Sequence, residues 1–305
     1  MSGGTPDRVP FFEEGIRPDV IKAWKEQGMP GDVPLTELLP FDRRVEIAPD
    51  LLPRKWPDNT TGLENFRRSL DPDDPARLPD NWPEPGGDDA ILLRVHRGLY
   101  QTLGVAGWRR FAEVNLLLKD DPELVRAMLT IQAQFAAGLA ERILSEVTID
   151  AAIFSEPISG NSGPLVSPQM FDQLIDFSYK PLLDVLRRHG VETLIFRTYA
   201  NSRTLLPVVL ERGFNTLWAC ETAVEEMDYA DIRREYGRDL RLIGGIDVDA
   251  LRHDIETIRR ELQSKLPPLL EQGGFIPLAD GRVRAVVPYD NYTYYRNLLA
   301  EVVGG

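Results

Sequence analysis

The sequence predicts an α/β protein: one distorted (β/α)8 TIM barrel over residues 1–305, with a proline-rich N-terminal excursion. Three observations predict it. Eight short runs, most of them apolar on both faces, read as strands that pair in parallel. Long amphipathic segments with clear start and stop signals separate the later runs. No GxGxxG or GxxxxGK[ST] loop follows any of them, which disfavours an open doubly wound sheet.

The first two strands are RVPFFE (8–13) and RVEIA (44–48). Fourteen of the 24 prolines lie before residue 90, in stretches such as DPDDPARLPDNWPEPGGDD. Proline fixes φ and lacks an N–H, so residues 1–89 are predicted as strands joined by turns and extended connections. This part reads as an arm laid over a core, not as a domain of its own. Regular βα units fill 90–305, with strands AILLRV (90–95), AAIFSE (151–156), TLIFRT (193–198), NTLWAC (215–220), RLIGGI (241–246) and FIPLAD (275–280). Asp121 with Pro122 opens a helix that carries Leu124, Met128, Ile131, Phe135, Leu139 and Ile143 at helical spacing. Ser167 with Pro168 opens another, Gly190 follows its end, and Pro181 inside it predicts a kink or a break. Gly213 and Gly237 follow two further helices.

Hydrophobic residues make up 43% of the chain, enough for a sizeable core. The formal charge of -13 argues against non-specific binding to nucleic acid or to an anionic membrane. An anionic substrate stays open, because local arginines act inside an acidic shell. Cys220 is the single cysteine, which permits no internal disulfide and points to a reducing compartment. The start, MSGGTPDRVP, shows no signal-peptide pattern, and no apolar run approaches the ~20 residues of a membrane span. A cytoplasmic protein is the expectation.

In a barrel, chemistry gathers at the C-terminal ends of the strands. Those ends carry Glu13 and Glu14, His96 and Arg97, Glu156, Arg197 with Tyr199, Cys220 with Glu221, Asp247, and Asp280 with Arg282 and Arg284. One charge past a strand is usually a solvated loop residue; the set matters because the fold would bring it to one mouth. The histidines do not suggest a metal site: His189 ends a helix, His253 lies on a surface helix, and His96 suits a core or loop role. Cys220 reads as a buried structural residue, and no GxSxG marks a serine hydrolase. Arg197 closes a buried strand with a permanent planar cation, suited to clamping a carboxylate or phosphate. A buried pair with Glu156 or Glu221 is its structural alternative.

Several segments in order, NSGPLVSPQMFDQLIDFSYKPLLDVLRRHGVETLIF, LLPVVLERGFNTLWACE, YGRDLRLIGGID and GGFIPLADGRVRAVVPYDNYTYYRNLLAEV, resemble the uroporphyrinogen decarboxylase superfamily. DRVPFFE and DDPELVRAM are also family-like. That superfamily holds the tetrapyrrole decarboxylase and methyltransferases that act with corrinoid proteins or thiols, and its fold is a distorted (β/α)8 barrel. In the methyltransferases a histidine, followed two residues later by a cysteine, helps hold zinc. Here Arg197 and Tyr199 stand at those positions, and Cys220 is at best the third ligand, so zinc is not expected. The decarboxylase's arginine-rich RQAGRY loop is replaced by FFEEGIRPD, which offers only Arg17 and adds Glu13 and Glu14. The family's late histidine turn reads ADGRVR, with Gly281 in its place.

The resemblance therefore implies a metal-independent, methyltransferase-type or related one-carbon activity on a small anionic substrate, with a corrinoid protein or a folate as methyl carrier. Arg17, Arg197, Arg282 and Arg284 would hold the anion. Glu156, Glu221, Asp247 and Asp280 would bind a cationic or hydroxylated portion, or one would serve as general base if burial raises its pKa. Tyr199 would donate a hydrogen bond or act as acid, and Asn201 would orient the substrate; Asn161 reads first as the turn in GNSG. The alternatives are a tetrapyrrole decarboxylase and a ligand-binding barrel that has lost catalysis. The tyrosine-rich C-terminal helix YDNYTYYRNLLAEVV suggests a homodimer interface, or ordinary packing on the barrel.

Overall fold

In a computed structural model of the chain, the residues described are 8–304 apart from 32, 40, 81, 84–86, 88, 223 and 224. Along the chain come α1 (Pro18–Glu26), α2 (Leu35–Leu38), β1 (Arg44–Ile47), α3 (Leu63–Arg68), β2 (Ala90–His96), α4 (Leu99–Thr102), α5 (Trp108–Asp120), α6 (Pro122–Glu146) and β3 (Ala151–Glu156). A two-residue ladder, β4 (Ser159–Gly160) with β5 (Gly163–Pro164), precedes α7 (Pro168–Ser178), α8 (Lys180–Arg188), β6 (Leu194–Tyr199) and α9 (Leu206–Glu211). Then follow β7 (Thr216–Cys220), α10 (Tyr229–Tyr236), β8 (Arg241–Ile246), α11 (Ile255–Gln272), β9 (Phe275–Ala279) and α12 (Tyr289–Gly304). These elements fold as two compact units. The first holds Arg44–Thr198 and Thr204–Phe214; the second holds the described residues up to Arg43, Tyr199–Arg203 and those from Asn215 onward.

The first unit is built on parallel strands in the order β1-β2-β3-β6. β3 and β6 are buried on both faces, as parallel strands covered by helices are, while β1 and much of β2 are half-buried. α6 starts where its signals predict: Asp121 accepts from the Leu124 N–H at 3.1 Å, and Pro122 takes the first turn, where an N–H would lack a partner. Ser167 caps α7 in the same way, accepting from Met170 at 3.1 Å. The break predicted at Pro181 occurs: α7 stops at Ser178, α8 restarts at Lys180, and Tyr179 stands between them. Part of the proline-rich stretch packs within this unit. Trp56 donates to the Thr102 carbonyl at 2.9 Å. Arg77 is buried, donates to Leu52 O at 2.6 Å and stands 5.1 Å from the centre of the Phe135 ring on α6.

The second unit carries parallel strands in the order β7-β8-β9, with α10, α11, α12 and α1. Trp24 of α1 stacks on Tyr292 of α12 at 4.7 Å and donates to Val287 O at 2.8 Å. Tyr292 and Tyr295 are fully buried, so those two C-terminal tyrosines pack inside the unit and offer no surface to a partner.

One predicted strand does not form. Residues 8–13 have no ladder: Pro10 has no N–H, and Phe11 exchanges both its bonds with Asp42. The Asp42 N–H donates to Phe11 O at 2.9 Å, while the Phe11 N–H goes to the Asp42 carboxylate at 2.6 Å. A side-chain oxygen occupies the place that a neighbouring strand's carbonyl would take. The α/β class and the parallel pairing hold, with seven of the eight expected strands present among the described residues. Among those residues no helix is long and apolar enough to cross a membrane.

Candidate functional site at the strand ends

In the second unit, the ends of β7, β8 and β9 are tied together by Asp280. Its Oδ2 accepts from the Thr222 N–H at 2.5 Å and the Thr222 hydroxyl at 2.7 Å, and its Oδ1 accepts from the Val248 N–H at 3.0 Å. Its backbone continues the tie, accepting from Glu221 N at 2.6 Å and donating to Ile246 O at 2.8 Å. Burial pushes the Asp280 carboxyl above its ordinary range; the three donors oppose that, and the charge of Asp247 adds to it. Thus Asp280 is a structural bracket, and both its oxygens are engaged.

The backbone is strained beside it. Ala200 and Glu221, directly after β6 and β7, adopt φ of 50° and 54°, a left-handed conformation costly for residues with a Cβ. The Ala200 N–H donates to Cys220 O at 2.9 Å, which holds the turn containing Tyr199 and Asn201. Asn201 is buried and accepts from the Arg203 N–H at 3.2 Å.

The arginines past β9 rest on carboxylates at long range. Arg282 Nε is 3.7 Å from Glu14, whose other oxygen lies 3.9 Å from the Cys220 thiol. Arg284 bridges Glu221 at 3.4 Å and Asp249 at 3.5 Å. Both arginine side chains are about half exposed, at 48% and 49%. Such pairs are held weakly and exchange partners at small cost. Asp247 accepts from the Asp249 N–H at 2.8 Å, and its own N–H donates to Glu261 at 2.8 Å. Arg17 is exposed at the N-terminus of α1, where its carbonyl accepts from Val20 and Ile21. Glu13 lies deeper: it accepts from Tyr295 at 2.6 Å and from Arg296 at 2.9 Å, and burial raises its pKa against the pull of Arg296. The Arg296 guanidinium is also stacked 3.7 Å from the centre of the Phe11 ring.

Glu156 and Arg197 belong to the first unit, on opposite faces of its sheet. The register pairs Glu156 with Thr198 and Ser155 with Arg197, and side chains alternate along a strand. Glu156 shares its face with Phe154, whose ring lies 4.9 Å from Tyr179 at the α7–α8 break. The alternative that pairs Arg197 with Glu156 is therefore overturned by the pleat. Glu156 instead accepts from the Leu99 N–H and the Tyr179 hydroxyl, each at 2.7 Å. Burial lifts it to about 7. Beside it, His96 Nδ1 accepts from the Gly98 N–H at 2.9 Å, which assigns the proton to Nε2, donating to Ser178 at 2.6 Å. Burial lowers His96 to about 4. Gly98 has φ of +110°, and a Cβ there would lie 2.7 Å from Pro157 and 3.2 Å from the Glu156 carboxylate.

The sequence reading missed Thr222, Asp249, Tyr179 and Ser178 as partners. Thr222 follows the Cys220–Glu221 strand end directly, and that adjacency was a usable signal; the others are met only through tertiary contacts. Zinc does not fit: among the described residues no group of three or more His, Cys, Asp or Glu is placed to hold a metal ion, and Cys220 faces Glu14. No protein-family model matches this sequence, and neither does any curated protein sequence.

Proposed function

We propose that the chain is a divergent uroporphyrinogen decarboxylase-like protein, a closed and distorted barrel that binds a small anionic molecule at its strand ends. The observation that carries this reading is the pair Arg282 and Arg284, two residues apart past β9, half exposed and loosely held by Glu14, Glu221 and Asp249. An incoming carboxylate or phosphate would replace those long contacts with short, bidentate ones. In this reading Tyr199 and Glu221 are the acid and base candidates, Asn201 orients the ligand, Arg17 adds charge, and the reaction is a metal-independent, methyltransferase-type one-carbon transfer. A corrinoid protein or a folate would carry the methyl group. A binding protein without turnover is the second reading. It is favoured by Asp280, both of whose oxygens are already engaged by backbone and side-chain donors.

The test is a thermal-shift panel of carboxylates and phosphates on wild type, Arg282→Ala and Arg284→Ala, followed by methyl transfer to cobalamin with each stabilising ligand. Anion-induced stabilisation lost in both variants supports the site. Stabilisation that survives both substitutions refutes it. Methyl transfer decides for the enzyme; tight binding without turnover decides for the second reading.

A further inference from the structure

The arginine edge leaves a second feature of this unit unexplained. A cleft of about 370 Å³ is lined by Thr222, Asp228, Asp247, Ser264, Lys265 and Pro268 over a floor of Met227, Tyr229 and Leu269. The floor is apolar and buried. Tyr229 is fixed there, because its hydroxyl accepts from Ala219 N at 3.0 Å and donates to Ile243 O at 2.6 Å. Gly245, with φ of +88°, also lines the cleft, and a Cβ there would lie 2.9 Å from the Tyr229 ring.

The charges do not suit an anion. Lys265 is already held by Glu261. The α10 N-terminus is capped by Asp228, whose Oδ1 accepts from Ala230 at 2.9 Å and Asp231 at 3.0 Å, so those N–H groups are committed. Asp228 and Asp247 each make their hydrogen bonds through Oδ1, and neither has a protein partner for Oδ2 among the described residues. α11 also has a freed backbone acceptor. In a helix the carbonyl of residue 264 receives the N–H of residue 268, but Pro268 has none. Ser264 and Pro268 both line the cleft, and the Ser264 carbonyl lacks its usual helix donor.

Two carboxylates, a freed carbonyl and two hydroxyls over an apolar floor match a ligand that donates hydrogen bonds, carries positive charge and has a short hydrocarbon body. We propose that this cleft is a binding site for a small organic cation, a primary amine or diamine, in addition to the anion at the arginine edge. The assignment stands independently of the arginine reading, since Arg282 and Arg284 do not line the cleft.

The experiment is calorimetry on the full-length protein with putrescine, and with 1,4-butanediol as its neutral counterpart. Asp247→Asn keeps the acceptor for Asp249 and removes the charge. Pro268→Ala restores the helix donor to the Ser264 carbonyl. Putrescine is expected to bind and the diol not to bind. Each substitution should weaken putrescine by about tenfold, the loss of one charged or polar contact. Equal binding of the diol, no binding of putrescine up to about 10 mM, or wild-type affinity in either variant overturns the site. Non-specific attraction to the acidic surface would survive both substitutions and falls under that last outcome.

Discussion

Replacing Glu156 with glutamine tests the buried cluster behind β3. Burial moves the Glu156 carboxyl from 4.5 to about 7, and moves His96 from 6.5 to about 4. The two displacements act on stability with opposite signs. A carboxyl with a raised folded pKa holds its proton more tightly in the folded state. Its contribution is complete below pH 4.5 and is lost as pH rises through about 7. His96 binds its proton less tightly when folded, so its contribution is present above pH 6.5 and is lost as pH falls through about 4. Each displacement corresponds to roughly 3 kcal/mol, at about 1.4 kcal/mol per pKa unit.

Between pH 4.5 and 6.5 the slopes cancel, so this pair leaves the wild type nearly flat there. Between 6.5 and about 7 the carboxyl alone remains, and stability declines. Glutamine keeps an acceptor for the Leu99 N–H and offers Tyr179 an amide, yet it never ionises. Relative to wild type, Glu156→Gln should therefore gain roughly 3 kcal/mol between about pH 4.5 and pH 8. Urea denaturation followed by circular dichroism at four pH values measures this difference. A difference constant to within about 1 kcal/mol across the range would show that Glu156 does not hold the proton, and the burial argument would fail.

The other expectations concern single buried contacts. Asp280→Ala leaves the N–H groups of Thr222 and Val248 without their acceptor and should cost roughly 2–5 kcal/mol, read as a lowered urea midpoint; Asp280→Asn should cost less. Arg296→Met strands the buried Glu13 and should cost roughly 3–5 kcal/mol, with part of it regained in the double variant Arg296→Met, Glu13→Gln; a double variant no better than the single one would contradict the ion-pair account. Gly98→Ala combines a left-handed backbone with a contact at 2.7 Å, and a melting temperature unchanged from wild type would disprove that packing.

Much of the architecture was legible because its signals are local. Six strand segments from Ala90 onward carry apolar runs that pair in parallel, and RVEIA before them pairs too, with Ile47 buried. Asp121, Ser167 and Pro181 act through their own backbone neighbours, so helix starts and the α7–α8 break could be read directly. RVPFFE failed because its fate depended on Asp42, a residue about 30 positions away that took the bond a strand would have used. Of the candidate site, the sequence identified the charged residues after the strands, and Arg282 and Arg284 do meet carboxylates past β9.

What the sequence determined alone was the α/β class, the parallel strands, the starts of α6 and α7 with the break before α8, and a single cysteine, too few for a thiolate cluster. The tertiary structure decided which way each charge faces and what it meets. The pleat set Glu156 and Arg197 on opposite sides of one sheet, strand register gave Asp280 donors from two strand ends, and packing brought Asp228, Asp247 and Ser264 to one cleft. Hydrophobic periodicity is a property of adjacent residues. The environment of a polar side chain is a property of whichever distant elements surround it, and those are known only once the chain has packed.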